Sequence, residues 1–372
     1  MKVPFLDLAI SDMYFRKKLL DRINKVLRSG KILDGNEQKD FEKKFGREVG
    51  AKYVVGVSSG SSALFLALKA NGIGYGDEVI TTPFTWIITI NAITSVGATP
   101  KFVDIDENFN IDPKKIESAI TKKTKAIIPV HIGGKLCEMD IIFKLAKKHK
   151  LKIIEDAAQA FFSSYKKNRA GTYSNACAFS FNPMKTLHAY GEAGAVTTNS
   201  KKIYETLLEM RHAGTKRKKG NFDINNCNHI SLNHKIDTIQ ASMLIENLKR
   251  ATEIKKKREK ISKFYDKKLS NFAKIQNLKK DEVHGRYLYI ARFKKRNLLK
   301  KFLESKKIET KVFYSPLACD APVYKKRKVK VPKSRKFLQE ALALPLHEKM
   351  SKSQVNFVVK NIHKFYGRKK NI

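Results

Sequence analysis

A lysine and an aspartate in two nearby segments could together support covalent catalysis. Lys185 lies in FSFNPMKTLHAYGEAGAVTTN (residues 179–199), where an apolar, strand-like run turns through Pro183 before it reaches the lysine. Upstream, LKIIEDAAQAF (residues 151–161) reads as a buried strand that ends in the carboxylate of Asp156. A lysine at one strand exit, opposite a carboxylate at another, is the minimal apparatus for holding pyridoxal phosphate. The lysine forms a Schiff base with the aldehyde, and the carboxylate keeps the pyridine nitrogen protonated so that the ring can accept electrons.

A turn of small residues is the candidate phosphate site. VGVSSGSSALFLAL (residues 55–68) predicts a strand, a turn and then a helix that begins with Gly60, Ser61 and Ser62. Backbone N–H groups at a helix start, together with hydroxyl groups and the positive end of the helix dipole, suit a phosphate. The sequence therefore offers a binding site for the phosphate of the same cofactor.

Two more segments contribute to the constellation. VITTPFTWIITINAI (residues 79–93) contains Trp86, the only tryptophan, directly after a proline-containing turn, where a flat indole could stack on a cofactor ring. SLNHKIDTIQASMLIENL (residues 231–248) starts near Asn233 and continues into an amphipathic helix.

The elements that must position these residues alternate between strand and helix. Strand-like runs are YVVGV, EVITT, TPKFVDI, TKAIIPVH, KLKIIED, ACAFSF and GAVTTN, and helical stretches at 61–71, 113–120 and 138–149 fall between several of them. This alternation predicts an α/β fold with a mostly parallel sheet between helices, whose ligands bind at the carboxyl ends of the strands. Four candidate residues follow such strand ends: Trp86, His131, Asp156 and Lys185.

The chain of 372 residues is long enough for two domains. We expect a large domain over residues 1–237, which includes the N-terminal segment. From residue 238 the pattern becomes a long charged helix, and we expect residues 238–372 to form this connecting helix and a smaller C-terminal domain. GIGYG at 72–76 is not a dinucleotide fingerprint, because it follows a helix and precedes a strand.

Composition favours a soluble globular protein of the cytoplasm. The chain is 42% hydrophobic, and no apolar run approaches the roughly 20 residues that span a bilayer. Pro and Asp interrupt the N-terminal MKVPFLDLAISD before a signal-peptide core could form. The four cysteines are widely separated, so their spacing predicts neither a metal site nor a disulfide framework.

The formal net charge of +41 raises the alternative of polyanion binding. Lysine-rich runs recur along the chain, at 216–219, 253–260, 293–301, 324–336 and 367–370. They are scattered rather than gathered in one arm, and no nucleic-acid-binding signature lies among them, so we interpret them as solvated surfaces and expect no specific nucleic-acid partner.

Taken together, these motifs resemble the DegT/StrS family of sugar aminotransferases, from PFLDL near the N-terminus to LALPLHEKMS near the C-terminus. The resemblance implies an aspartate-aminotransferase-like fold of type I, with a smaller α+β C-terminal domain, and pyridoxal 5'-phosphate as cofactor. It further implies a role for each motif residue. Lys185 would be the Schiff-base lysine, Asp156 the partner of the pyridinium nitrogen, and Gln159 a partner of the phenolic oxygen of the cofactor. Trp86 would stack on the ring. The phosphate ligands would be Gly60, Ser61, Ser62 and Ser180, joined by Asn233 of the neighbouring subunit.

The resemblance also implies partners and a reaction. The amino donor would be an amino acid, glutamate as in the family, and the acceptor a ketosugar, most often nucleotide-linked, for cell-surface polysaccharide or glycan biosynthesis. Because Asn233 would complete the partner's site, the enzyme would be a homodimer with shared active sites and no membrane partner.

Two departures from the family pattern bear on the substrate site. The family commonly has an aromatic residue shortly after the histidine of PVH, whereas this chain continues from His131 with Ile132, Gly133 and Gly134; we expect the loss of a side chain there to open or reshape the sugar pocket. Lys235 stands where arginine is common, and the two do not bind carboxylates equivalently. His131 and Lys235 are therefore the candidate substrate residues.

Structural explanations stay open for several of these residues. Asp156 could cap a helix, Trp86 could belong to the core, and Ser180 and Asn233 could make ordinary structural hydrogen bonds. His131 is open between a substrate-pocket residue and a packed histidine.

Three functional hypotheses follow. An aminotransferase explains the whole constellation. A sugar dehydratase on the same fold is the alternative, although such relatives typically carry histidine in place of the Schiff-base lysine, and His188 lies nearby. A non-catalytic polyanion-binding protein would use only the basic surface.

Overall fold

The computed structural model describes residues 1–218, 221–324 and 329–367. Its α-helices are α1 (Met13–Ser29), α2 (Asn36–Val49), α3 (Gly60–Ala70), α4 (Ile87–Ser95), α5 (Met139–Lys148), α6 (Lys201–Arg211), α7 (Thr238–Leu269), α8 (Arg296–Ser305), α9 (Pro332–Glu340) and α10 (Lys352–Gly367). Its strands are β1 (Tyr53–Val57), β2 (Glu78–Thr81), β3 (Thr99–Phe102), β4 (Thr124–Ile127), β5 (Lys152–Asp156), β6 (Ser164–Tyr165), β7 (Asn168–Arg169), β8 (Ala176–Ser180), β9 (Gly194–Thr198), β10 (Thr215–Lys218), β11 (Asn221–Cys227), β12 (Ala273–Ile275), β13 (Glu282–Val283), β14 (Tyr289–Phe293) and β15 (Ala341–Leu344).

A seven-stranded sheet forms the centre of the fold. Its order is β1-β9-β8-β5-β4-β2-β3. Strands β8, β5, β4, β2 and β3 run parallel, and β9 is antiparallel to both of its neighbours. Most residues of these strands are buried, as expected for a sheet covered by helices on both faces. The predicted α/β fold with a mostly parallel sheet is confirmed.

The predicted helix at 113–120 is not an α-helix. The segment forms two short 3₁₀ turns, Pro113–Lys115 and Glu117–Ala119. The carboxylate of Asp112 accepts from the backbone N–H of Lys114 and begins the first turn. Only Pro113 and Ile116 are buried there, so the segment lacks the continuous apolar face that would stabilise further turns.

A second, smaller sheet lies in the C-terminal part of the chain. It has the order β12-β14-β15 and is antiparallel. Helices α8 and α10 supply buried residues to its hydrophobic cluster, which also contains Val3. Val3 pairs in parallel with Ile308. The first residues of the chain thus pack with the C-terminal part, and the domain boundary after residue 237 stays a prediction.

Helix α7 connects the two regions. The carboxylate of Asp237 caps it by accepting from the backbone N–H of Gln240 at 2.7 Å, as is favoured at a helix start. Lysines on its exposed face pair with glutamates one turn away, as in Lys257–Glu253 at 2.6 Å and Lys263–Glu259 at 2.9 Å. Parts of three other basic runs, at 219, 325–328 and 368–370, lie outside the described residues.

No helix within the described ranges combines the length and the apolar character needed to cross a membrane.

Candidate active site

The two residues that the sequence pairs, Asp156 and Lys185, follow adjacent parallel strands. Asp156 is the last residue of β5 and lies opposite Ala178 of β8. Lys185 comes five residues after Ser180, which ends β8. A tight turn connects Ser180 to Lys185, and in it the backbone N–H of Lys185 donates to the carbonyl of Asn182 at 2.8 Å. The structure therefore brings both groups to the same edge of the sheet, as the sequence predicts.

The side chain of Lys185 is half-buried beside an aromatic ring. Its Nζ lies 4.6 Å from the centre of the Tyr287 ring, within the range of a cation–π contact. It also lines a cavity of about 170 Å³ between the N-terminal segment, α7 and the turn that follows β8. The residue therefore borders open space on one side, while its amine lies beside the Tyr287 ring.

Asp156 is a buried carboxylate held by neutral donors. The Thr89 hydroxyl donates to Oδ2 at 2.8 Å, and the backbone N–H of Ala158 donates to Oδ1 at 3.2 Å. Burial raises the pKa of Asp156, and these two hydrogen bonds together with the charge of Lys185 offset only part of that rise. A carboxylate in such surroundings favours a cationic partner.

The beginning of α3 packs against the end of β8. A Cβ on Gly60 would lie 2.6 Å from Cβ of Ser180, so only glycine allows the helix start to come this close to the serine. The N-cap is Ser59, whose hydroxyl accepts from the backbone N–H of Ser62 at 3.1 Å. Sequence reasoning missed Ser59, although a serine just before an apolar helix is a common capping signal.

Ser61 and Ser62 differ in their surroundings. The hydroxyl of Ser61 is exposed. The hydroxyl of Ser62 lies 2.9 Å from Oγ of Ser58, 3.2 Å from Oγ of Ser59 and 3.0 Å from Nδ1 of His234. A hydroxyl has one donor and two acceptor sites, so these three neighbours use the full capacity of Ser62.

Gln159 is buried, and both ends of its amide are bonded. The backbone N–H of Gly133 donates to Oε1 at 2.8 Å, and Nε2 donates to the Tyr314 hydroxyl at 2.7 Å. Sequence reasoning did not single out Tyr314, because KVFYSPLACD carries no pattern that places its tyrosine beside the carboxyl end of β5.

Trp86 and Asn233 are exposed in the single chain. Trp86 stands at the N-cap position of α4 with 62% of its surface exposed, so it is not a core residue of one subunit. The amide oxygen of Asn233 accepts only a local bond, from the backbone N–H of Lys235 at 3.4 Å. The ammonium group of Lys235 lies 3.7 Å from Asp34.

His131 is fully buried and packed. Its Nε2 lies 2.9 Å from Oε2 of Glu155, and its Nδ1 accepts from the backbone N–H of Cys137 at 3.2 Å. Both ring nitrogens are thus used within the protein, which favours the packed-histidine interpretation over a substrate contact.

The two glycines after His131 do not leave an open space. A Cβ on Gly133 would lie 2.9 Å from Oε1 of Gln276 and 3.3 Å from a methyl group of Ile290. A Cβ on Gly134 would lie 3.0 Å from the backbone of Arg286. Both glycines have positive φ. Residues from the C-terminal part of the chain occupy the space that an aromatic side chain would need. The expectation of an opened pocket is therefore not met at this position.

These residues fit pyridoxal phosphate. A half-buried lysine faces a cavity, a buried carboxylate on the neighbouring strand has only neutral partners, and a glycine brings a helix start next to Ser180. The first N–H groups of a helix have no intrahelical acceptor, which suits them to a phosphate. The residues that could hold the cofactor are Gly60, Ser61, Ser180, Lys185, Asp156 and Gln159.

Comparisons with known proteins show similarity to aminotransferases over nearly the whole chain. A family model described as the DegT/DnrJ/EryC1/StrS aminotransferase family matches residues 14–363. A dTDP-3-amino-3,6-dideoxy-alpha-D-galactopyranose transaminase of Aneurinibacillus thermoaerophilus is 37% identical over 366 residues, covering 98% of this chain and 99% of the relative. A UDP-2-acetamido-2-deoxy-3-oxo-D-glucuronate aminotransferase of Pseudomonas aeruginosa is 31% identical over 363 residues, covering 96% and 98%.

Solved structures show the same similarity. DesV of S. venezuelae superposes with a TM-score of 0.94 at 32% identity, covering 99% of this chain and all of that chain. The sugar aminotransferase Spr1654 of Streptococcus pneumoniae, solved in its PLP form, superposes with a TM-score of 0.90 at 26% identity, covering 99% of both chains.

Proposed function

The chain belongs to the DegT/DnrJ/EryC1/StrS aminotransferase family, and we propose that it transfers an amino group from glutamate to a nucleotide-linked ketosugar. It is a pyridoxal-phosphate-dependent aminotransferase. One observation carries the assignment of the site: Lys185, Asp156 and the start of α3 meet at one edge of the central sheet. No structural explanation accounts for all three together.

Bound pyridoxal phosphate supplies an electron sink that stabilises negative charge at the carbon next to the transferred nitrogen. Lys185 would hold the cofactor covalently through Nζ. When free, the same amine would remove a proton from the donor's α-carbon and later return one. The position of Lys185 is suited to both tasks, because the residue lines a cavity and its Nζ lies 4.6 Å from the centre of the Tyr287 ring.

The other predicted cofactor residues have distinct tasks in this proposal. Asp156 would pair with the pyridine nitrogen and keep it protonated, which would also neutralise the buried carboxylate. Gln159 would donate to the phenolic oxygen, and Trp86 would cover the ring. Gly60, Ser61 and Ser180 would hold the phosphate, and we place Ser62 behind this site because its hydroxyl is fully used.

We further propose a homodimer with shared active sites. Trp86, Ile230 and Leu232 are 62%, 90% and 69% exposed in the single chain, and large apolar residues at such exposure are typical of surfaces that bind another protein. Asn233 lies next to Leu232 and would reach the partner's phosphate, with Lys235 close to the substrate. The interface would thus cover Trp86 and complete both sites.

The cavity next to Lys185 suits an anionic substrate. Four of its lining residues are cationic in addition to the lysine: Arg250, Lys257, Arg258 and Lys349. Arg258 is buried and donates to the carbonyls of Arg286, Tyr287 and Leu346, so it holds the wall of the cavity. The remaining three side chains lie beside carboxylates, Arg250 at 3.9 Å from Asp12, Lys257 at 2.6 Å from Glu253 and Lys349 at 3.6 Å from Asp7. The diphosphate of a nucleotide sugar would replace these partners.

We place the reaction in the cytoplasm and in the biosynthesis of a cell-surface polysaccharide or glycan. The support is indirect. The four cysteines are free, as expected for a reducing compartment, and the curated relatives named above act on sugars linked to dTDP or UDP.

A substrate panel tests the proposal. The purified enzyme, loaded with pyridoxal phosphate, is incubated with glutamate and a series of ketosugar nucleotides, and the products are identified by mass spectrometry. An aminosugar nucleotide with equimolar 2-oxoglutarate is the expected result, with parallel lines in double-reciprocal plots. A deoxyketosugar would indicate the dehydratase instead. Omission of glutamate and the variant Lys185→Ala are the controls, and neither should give an aminosugar.

A further inference from the structure

The orientation of the Gln159 side chain is fixed by two bonds. Its oxygen accepts from the backbone N–H of Gly133 at 2.8 Å, and its nitrogen donates to the hydroxyl of Tyr314 at 2.7 Å. A flipped amide would place its NH₂ group against the backbone N–H of Gly133 and lose that bond, whereas the Tyr314 hydroxyl can bond to either end of the amide. After these two bonds the amide retains one free N–H and no strongly exposed acceptor.

Tyr314 is a buried neighbour with a defined position. It is 8% exposed and packs edge-on against Phe84, with the ring centres 5.7 Å apart. Burial and the nearby Asp156 and Tyr287 raise the pKa of Tyr314, so the phenol stays protonated. Since its oxygen accepts from Gln159, its own O–H proton remains to be donated.

Both ends of the amide depend on the C-terminal part of the chain. Tyr314 follows Lys311, which exchanges two backbone hydrogen bonds with Ala343 of β15, at 3.1 and 2.8 Å. Gly133 packs closely against the side chain of Gln276, and its carbonyl accepts from the backbone N–H of Leu288 at 3.1 Å. The smaller sheet therefore determines how a residue next to β5 of the large sheet is oriented.

We propose that Tyr314 is a positioning residue for the cofactor: it holds the Gln159 amide in place, while the backbone N–H of Gly133 keeps the amide oxygen turned away, so that an N–H rather than a carbonyl is free for the phenolic oxygen of pyridoxal phosphate. This inference rests on the proposed function and on the role proposed there for Gln159. An ionised phenolic oxygen accepts hydrogen bonds, so a carbonyl in that place would repel it, whereas N–H stabilises it. Tyr314 acts through Gln159 and is not assigned a catalytic role.

The test is a titration of the bound cofactor in Tyr314→Phe, Gln159→Ala and the double variant. The absorbance of the lysine-bound cofactor is followed against pH, and the dissociation constant of pyridoxal phosphate is measured by fluorescence. Loss of a donor to the phenolic oxygen makes that oxygen more basic. We expect the titration midpoint to rise by about one pH unit and the cofactor affinity to fall about tenfold in both single variants, with no further change in the double variant.

Tyr324→Phe is the matched control. Tyr324 is equally buried, lies in the same part of the chain and donates to Asn91 at 2.8 Å. Its loss should lower thermal stability without moving the midpoint. Tyr314→Gln, which keeps an acceptor for the Gln159 amide, should give a midpoint nearer to that of the parent than Tyr314→Phe does.

The outcomes distinguish the positioning role of Tyr314 from the cofactor-binding role of Gln159. A shift in Gln159→Ala but none in Tyr314→Phe overturns the positioning role and leaves Gln159 in place. Additive shifts in the double variant also overturn it, because Tyr314 would then act independently of Gln159. If neither single variant shifts the midpoint, the role of Gln159 itself fails, and the positioning role fails with it. A normal cofactor spectrum in that case would still support the aminotransferase.

Discussion

The hydroxyl of Thr89 and the carboxylate of Asp156 meet at 2.8 Å, although one belongs to a helix and the other to a strand 67 residues later. Helix α4 begins just after Trp86 and contains Thr89. Its first turn therefore positions both the Trp86 indole and the hydroxyl that binds Asp156. A neutral hydroxyl can orient Asp156 but cannot balance its charge. Burial therefore disfavours the ionised form of Asp156 in the apoprotein, and the protonated cofactor would stabilise that form.

Replacement of Asp156 by asparagine should make the apoprotein more stable and the holoenzyme less active. Burial raises the pKa of Asp156, so the folded state binds this proton more tightly than the unfolded chain does. Stability is therefore lost as pH rises from the unfolded-state pKa through the folded-state pKa. Asp156→Asn removes that loss, so its apoprotein should have a higher Tm at neutral pH, with the difference disappearing in acid.

When pyridoxal phosphate is bound, the order of the two Tm values should reverse. An amide cannot hold the pyridine nitrogen protonated, so pyridoxal phosphate should raise the Tm of Asp156→Asn less than that of the parent, and transamination should fall about 100-fold or more. Asp104→Asn is the control, because Asp104 is also buried but accepts bonds from Ser334. It should lower stability without affecting the cofactor. Parent-like activity in Asp156→Asn would remove Asp156 from the site.

Lys185→Ala should fold normally and lose transamination. The side chain faces a cavity, so its removal leaves the core intact, whereas the covalent anchor and the proton-transferring amine are both lost. The measurements are circular dichroism, turnover, and the mass of the pyridoxyllysine peptide after borohydride reduction. The exposed Lys201→Ala should behave as the parent in all three. Near-normal turnover of Lys185→Ala, or a label on another lysine, would contradict the assignment.

The two serines at the start of α3 should respond differently to alanine. Ser61→Ala removes an exposed hydroxyl from the proposed phosphate site, and we expect about tenfold weaker binding of pyridoxal phosphate, as for one lost bond to a charged group. Ser62→Ala removes the partner of Ser58, Ser59 and His234. It should chiefly lower the Tm. Fluorescence titration and thermal melts distinguish the two effects, and equal losses of affinity would show that Ser62 also binds the phosphate.

Two inactive variants should restore each other if the active sites are shared. Lys185→Ala and Asn233→Asp each abolish activity in homodimers, the second because a negative charge beside the phosphate weakens cofactor binding. In a mixed dimer one site carries both changes and the other carries neither. After subunit exchange, isolated heterodimers should approach the activity of one intact site per dimer. Heterodimers without activity would show that Asn233 serves its own subunit.

Arg250→Ala should weaken the sugar substrate selectively. The guanidinium lines the cavity next to Lys185 and lies over the Phe15 ring at 4.1 Å. Loss of one charged contact to a diphosphate should raise KM for the nucleotide-linked ketosugar about tenfold while KM for glutamate stays the same. The adjacent Lys249, which pairs with Glu246 and does not line this cavity, provides the control Lys249→Ala. An unchanged KM in Arg250→Ala would place the diphosphate elsewhere.

The local patterns of the sequence were sufficient for the sheet and for the residues at its edge. Strands such as KIIED and ACAFS contain short apolar runs that end in polar residues, so the sequence alone indicates both that they are strands and where their carboxyl ends lie. Asp156 and Lys185 could be paired for that reason.

Contacts between distant segments could not be anticipated in the same way. The bond from Gln159 to Tyr314 joins residues 155 positions apart, and the space next to Gly133 is filled by Gln276 from another sheet. The full hydrogen bonding of Ser62 depends on His234, which no local pattern connects to it. Packing of this kind depends on the complete fold.

The pairing of Val3 with Ile308 also constrains how the polypeptide can mature. The backbone N–H of Val3 donates to Lys307, and the N–H of Glu309 donates to Val3, both at 2.9 Å. During synthesis Val3 therefore leaves the ribosome some three hundred residues before the segment with which it pairs. Until that segment has emerged, Val3 has no strand to join, and the neighbouring Leu6, Asp7 and Leu8, which line the cavity, are not held in place by this pairing. We therefore expect this wall of the pocket to form only after residue 308 has been synthesised.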